Sequence, residues 1–259
     1  MNYDTIVNLI SSDALELYGQ PKWTFGKNTC NTYELFPEKV HLPTGEVMPS
    51  WAVLDLIAKD EKLTLMFSRW FLDRSMAAVA ALSAKLDVNL TLSLNLLPRY
   101  ASQESFVEDV LSLLEKHQFA PQKLQFELSE AQDLTARGIE NLNLLHDEHG
   151  VLLYLGTFGK GHSHVDLLSE VHFDGIELNR SYAAKVPEHE QTCRLVVAIQ
   201  HLAHTLDLAV CAKGIENHDQ FEFFEELGCE KGQGFLIGTP MPLGEMEAHV
   251  EKYAVHRKH

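Results

Sequence analysis

Only four cysteines occur in 259 residues, Cys30, Cys193, Cys211 and Cys229, and they are far apart with no CxxC pair. Three sit in apolar surroundings typical of reduced, buried thiols, so a cytoplasmic protein is expected. Basic residues are also scarce. Acidic residues outnumber them 37 to 21, the formal charge is -16, and no run of Lys or Arg interrupts the chain. The nearest is the terminal His256-Arg257-Lys258-His259, which reads as a frayed tail. A nucleic-acid polymer is therefore not expected as a partner. Long apolar runs are missing too: none approaches the ~18 residues needed to span a bilayer. The amino-terminal MNYDTIVNLISSD carries acids and no basic n-region, so neither secretion nor a membrane association is expected. There is no GxSxG elbow, no cysteine beside a sequence-adjacent base, and no Ser/Gly/Pro linker. The chain reads as one domain over 1–259, with its core over about 13–250.

What is present is alternation. From Leu90 onward, short apolar strands alternate with amphipathic stretches, the pattern of repeated βα units around a parallel sheet. Strands are expected at LTLSLNLL (90–97), KLQFELSE (123–130), VLLYL (151–155), GIELN (175–179), LAVCAKG (208–214) and GFLIG (234–238). Helical spacing covers SFVEDVLSLLEKH (105–117) and LTARGIENLNLLHDEHG (134–150), whose ending reads as a helix stop. Two more strands fit near 15–22 and 31–36. The total suits a single (β/α)8 TIM-like barrel of about 250 residues.

In that α/β architecture, function sits at the carboxyl ends of the strands. The residues closing the strands are Asn95, Glu127, Gly156 with Thr157, Glu177, Lys213 and Gln233. Taken singly, each reads as a solvent-facing loop residue. Taken together, they read as a converging ring.

Eight ordered segments carry a resemblance: YGQPK, ELF, LSLNLLP, FELSE, LGTFGKGHSHVDLL, IELNRSY, AKGIE and GCEKGQGFLIGTPMP. They resemble, in order and spacing, the motifs of the EAL-type cyclic di-GMP phosphodiesterases, with ELF in place of EAL. The resemblance implies an EAL-type barrel whose mouth binds magnesium or manganese, where a metal-activated water opens cyclic di-GMP to the linear dinucleotide. By the same correspondence, Glu34, Asn95 and Glu127 match metal ligands and Gln233 matches a site residue. Gly156 and Thr157 stand where the family has its metal-bridging aspartates, and Asn179 where it has another. Glu177 replaces a lysine, Lys213 a glutamate, and Glu38 a nucleotide-holding arginine, while Glu216 matches a retained glutamate. Gln20, Pro21, Phe235 and Pro240 remain where the family lines its nucleotide groove.

These departures imply a catalytically degenerate member with no intact catalytic set and no expected cofactor, magnesium or manganese entering only with residual activity. The expected role is a regulatory binding module in bacterial cyclic di-GMP signalling, acting through a protein partner of unknown identity. Cyclic di-GMP binding without hydrolysis, a phosphodiesterase with a rearranged metal site, and a homodimer stay open. Glu177 and Lys213 exchange the family's charges on adjacent strand ends. Either they pair with reversed polarity or they drifted independently.

The remaining candidates read as structural. His162 and His164 lie two apart in Gly161-His162-Ser163-His164, and His162 occupies the tyrosine position of the resembled family. His201 and His204 read as the edge of a packed helical face, and Phe221, Phe223 and Phe224 as one amphipathic helix. Trp51, Phe67, Trp70 and Phe71 would become partner contacts only if exposed.

Overall fold

Residues 1–128, 134–159 and 165–254 are described by the computed structural model. Glu130, His162, His164 and the terminal His256–His259 lie outside the described residues. Eight strands close a barrel: β1 (Leu15–Thr24), β2 (Thr29–His41), β3 (Thr91–Asn95), β4 (Leu124–Leu128), β5 (Leu152–Phe158), β6 (Gly175–Leu178), β7 (Ala209–Lys213) and β8 (Lys231–Gln233). The ring closes through β1, which bonds both β2 and β8.

Strands β2 to β8 run parallel, but β1 is antiparallel to both its neighbours. Its connection to β2 is the reason. Only Phe25–Asn28 separate the two strands, with Gly26 and Asn28 at positive φ. So short a link can make a hairpin but not a parallel crossover, which takes a dozen residues or more. The reversal sets Gln20 opposite Glu34 and Lys22 opposite Thr32.

Helices cover the barrel: α1 (Tyr3–Ser11), α2 (Glu61–Leu86), α3 (Phe106–Lys116), α4 (Ala136–His149), α5 (Glu190–Thr205), α6 (His218–Glu226) and α7 (Met246–Tyr253). Their limits follow from caps. Thr135 accepts the amide of Gly138 at the start of α4, and Gly150 ends that helix in the left-handed region. Asn217 and Gln220 form a reciprocal capping box on α6. Between β5 and β6 the described crossover holds only a 3-10 turn, Val165–Ser169. No helix among the described residues is long and apolar enough to cross a membrane.

Alternation along each strand sends Leu92, Leu94, Phe126, Ile176 and Val210 outward into the buried layer beneath the helices. The inward positions differ from the branched aliphatic layers usual in such barrels. Lys22, Ser93, Gln125, Glu127 and Glu177 are all fully buried there.

Two sequence expectations are corrected. GFLIG is not a strand: β8 stops at Gln233, and the chain then turns, with the amides of Ile237 and Gly238 both donating to the carbonyl of Gly234. Gly234 itself lies against the backbone of Ile215, where no side chain would fit. The other expected strand, VLLYL, runs on through Gly156 and Thr157 to Phe158, interrupted by a register shift against β6. The turn begins only at Gly159, where φ is +86° and a Cβ would run into the Tyr182 ring. Tyr182 donates to the Gly159 carbonyl at 2.8 Å.

Candidate binding site at the barrel mouth

The strand ends converge as the alternation predicts. Glu34 leaves β2 and receives three donors: Asn95 Nδ2 at 2.8 Å, Gln233 Nε2 at 2.9 Å and Lys213 Nζ at 3.0 Å. Glu127, at the end of β4, accepts from Lys22 and from the Ser93 hydroxyl through Oε1, and from Lys213 at 2.8 Å through Oε2. Glu177 on β6 takes Lys22 at 2.6 Å on Oε1. Its Oε2 lies 2.7 Å from Lys213, a Coulombic contact without hydrogen-bond geometry.

Lys213 and Glu177 thus meet as an ion pair, but not alone. Lys213 Nζ sits between Glu34, Glu127 and Glu177, and Lys22 reaches the latter two from below. Sequence reasoning missed Lys22. It lies within YGQPK, but nothing local reveals that a reversed β1 carries its side chain inside the barrel.

Burial by itself would discharge all four central groups, and the partners decide which stay charged. Burial works against the Lys213 ammonium, yet Glu127, Glu177 and Glu34 outweigh it and hold that pKa well above the usual range. Lys22 is likewise raised against its burial by Glu127 and Glu177. The Glu127 carboxyl, despite burial, is held well below the carboxylate range by Lys213 and Lys22. Glu177 goes the other way. Burial and then the charge of Glu127 push it up to about 7, although both ammonium groups pull it down.

Above this cage opens a cavity of about 320 Å³ lined by Gln20, Thr157, Arg180, Glu216 and Phe235 among others. Phe235 is 62% exposed, and Gln20 is held by a 3.0 Å bond to the Gly238 carbonyl. Pro21 is buried and packs at Gly238, and Pro240 is half-buried; neither lines the cavity. Asn179 lines it while capping the short helix Arg180–Ala183, accepting the Ser181 amide at 3.0 Å. Glu38 is exposed outside the lining, and Gly156 and Thr157 stand on the irregular end of β5. Arg180, which the sequence did not single out, also lines the cavity.

The EAL domain model matches residues 4–240. The chain belongs to the EAL domain family. A cyclic di-GMP phosphodiesterase of Pseudomonas aeruginosa, PA2567, is 28% identical over 242 residues, 92% of this chain and 40% of that protein. Another from the same organism, RocR, is 27% identical over 239 residues, 92% of this chain and 60% of its own length. The chain therefore spans about half the length of these relatives. Among solved structures, the EAL enzyme Bd1971 with cAMP and cyclic di-GMP bound superposes with a TM-score of 0.86 at 24% identity. That match covers 95% of this chain and 67% of the other. This EAL domain thus shares the family's closed barrel.

Of the remaining sequence candidates, Phe224 is buried, and Phe221 packs edge-on against Trp23 and Phe25. Phe67 and Phe71 are buried in the core, whereas Trp51 is 65% exposed. His201 and His204 both face outward on α5.

Proposed function

We propose that this EAL domain is a non-hydrolysing regulatory module in bacterial cyclic di-GMP signalling that works in the cytoplasm by binding a protein partner. One observation carries the loss of hydrolysis: the Lys213 ammonium lies within 3.0 Å of Glu34, Glu127 and Glu177 at once. A hard divalent cation needs several free anionic oxygens. Here the Glu34, Glu127 and Glu177 carboxylates are already bonded to ammonium, amide or hydroxyl donors, and Gly156 and Thr157 bring no carboxylate to β5. The donor set does not fit magnesium or manganese. A dication entering would also meet two fixed positive charges in a low-dielectric interior, where like charges repel strongly. No step of hydrolysis is assigned to this site.

A partner surface is supported by Trp51 and Phe235, large apolar side chains exposed in this domain. The cavity supports a second reading, a nucleotide receptor. Phe235 offers a ring face for a base, Gln20 an amide, and Arg180 a cation for a phosphate. Two measurements on one preparation test both readings. Incubation with cyclic di-GMP and manganese or magnesium should release no linear dinucleotide; turnover at a family-like rate overturns the proposal in favour of a rearranged metal site. Calorimetric titration with cyclic di-GMP, showing neither heat nor thermal shift, would remove the receptor reading and leave the partner reading.

A further inference from the structure

At the end of the barrel opposite the mouth, three side chains converge outside everything described so far. His146 and Asp147 close the last turns of α4, and His172 lies in the turn leading into β6. The ligand atoms of these three residues all lie within 4.8 Å of one another. Nδ1 of His146 is 2.8 Å from Asp147 Oδ1, and Nδ1 of His172 is 3.0 Å from both oxygens of the same carboxylate.

The surroundings resemble those of a metal centre more than a casual surface cluster. Metal-bound histidines typically present their second ring nitrogen to a carboxylate that fixes the ring. His146 does so: its Nε2 faces Asp174 Oδ1 at 3.5 Å. Asp174 is itself held, since its other oxygen accepts the Leu153 amide at 2.8 Å. The segment bearing His172 is tied to α4 through Asn143, which accepts the His172 amide at 3.0 Å and donates to the Glu170 carbonyl at 2.8 Å. Three groups on two segments are thus preset.

We propose that His146, Asp147 and His172 form a binding site for a borderline divalent transition metal, Zn²⁺ being the natural occupant. Two imidazoles and one carboxylate suit zinc rather than magnesium or calcium, which prefer all-oxygen shells. The partly exposed position leaves a fourth place for water, so the tetrahedron stays open. The ion pins the end of α4 to the turn that starts β6, the strand carrying Glu177. It acts as a staple at the base of the barrel, independent of what the mouth binds.

The test uses Co²⁺ as a spectroscopic probe on the full chain, with Zn²⁺ as competitor. One equivalent of Co²⁺ should produce tetrahedral d–d absorption that Zn²⁺ displaces. Zn²⁺ at a hundredfold excess over its dissociation constant should raise the Tm by roughly 5 to 10 °C. His172→Ala, at an exposed position, should remove the absorption while leaving the circular dichroism unchanged. Asp174→Asn should weaken binding about tenfold, and His201→Ala/His204→Ala should change nothing. No absorption in the parent protein overturns the proposal, and so does equal absorption in His146→Ala/His172→Ala. The latter would assign the metal to other histidines and leave this cluster as hydrogen-bonded ion pairs.

Discussion

A single lysine side chain bridges three strands at the barrel mouth. Lys213 neutralises carboxylates from three strands, and removing it would leave Glu34 with only its amide donors and Glu127 and Glu177 with Lys22 alone. Breaking a buried ion pair from one side commonly costs about 3–5 kcal/mol, because the remaining charge is desolvated and uncompensated. Lys213→Ala should therefore lower the unfolding free energy by roughly that amount, measured by urea denaturation, while an exposed ion pair such as Arg194–Glu190 should contribute under ~1 kcal/mol. Equal effects at the two positions would show that the cage is not a stability element. Lys22 should behave as Lys213 does, being bonded to Glu127 and Glu177 with no exposed surface.

Among the elements, β5 has the most irregular end. Thr157 has φ of +50°, a conformation that a β-branched residue adopts only under strain. It sits where the ladder between β5 and β6 slips register. Thr157→Gly should relieve that strain, and Thr157→Asn should as well, since Asn tolerates the left-handed region. We expect a gain of about 0.5–1 kcal/mol in urea denaturation for Thr157→Gly. A loss of stability would mean that contacts of the threonine side chain outweigh the backbone term. The sequence placed the start of this strand correctly because VLLYL is apolar on both faces, as a covered parallel strand must be. Its far end was not legible, because a bulge depends on pairing with β6 rather than on local preference. GFLIG failed for the related reason that apolar composition cannot distinguish a strand from a turn packed on Ile215.

For the whole molecule, the buried cage links stability to pH. Glu177 is raised to about 7 in the folded state from an ordinary carboxylate value near 4.5, so across that interval the folded protein holds a proton that the unfolded chain has lost. Its contribution is greatest below the interval and declines as pH rises through it. Glu127 is shifted the opposite way, so its contribution is present above the ordinary carboxylate value and is lost as pH falls toward its depressed pKa. Together the contribution of these two groups is greatest at about pH 5, with a fall on the order of 1–3 kcal/mol by about pH 8 attributable to Glu177. Denaturation midpoints at the two pH values check this, and Glu177→Gln should flatten the decline. A decline that persists unchanged in that variant would place its origin elsewhere.

The sequence by itself determined that the chain is a barrel and which residues close its strands, Gly156, Thr157, Glu177 and Lys213 among them. Alternation and ordered motifs are local properties, and they survive being read in one dimension. What only the tertiary structure decided is that Glu177 and Lys213 belong to one charge cluster. Lys22 meets Glu177 across 155 positions and Glu127 across 105, while Lys213 meets Glu34 across 179. Barrel closure brings these strands together, and the reversal of β1, imposed by a four-residue link, turns a lysine from a familiar motif into the second cation of the core. A glutamate and a lysine at two strand ends are visible in the sequence. That this lysine places its ammonium group among three carboxylates is a consequence of closure.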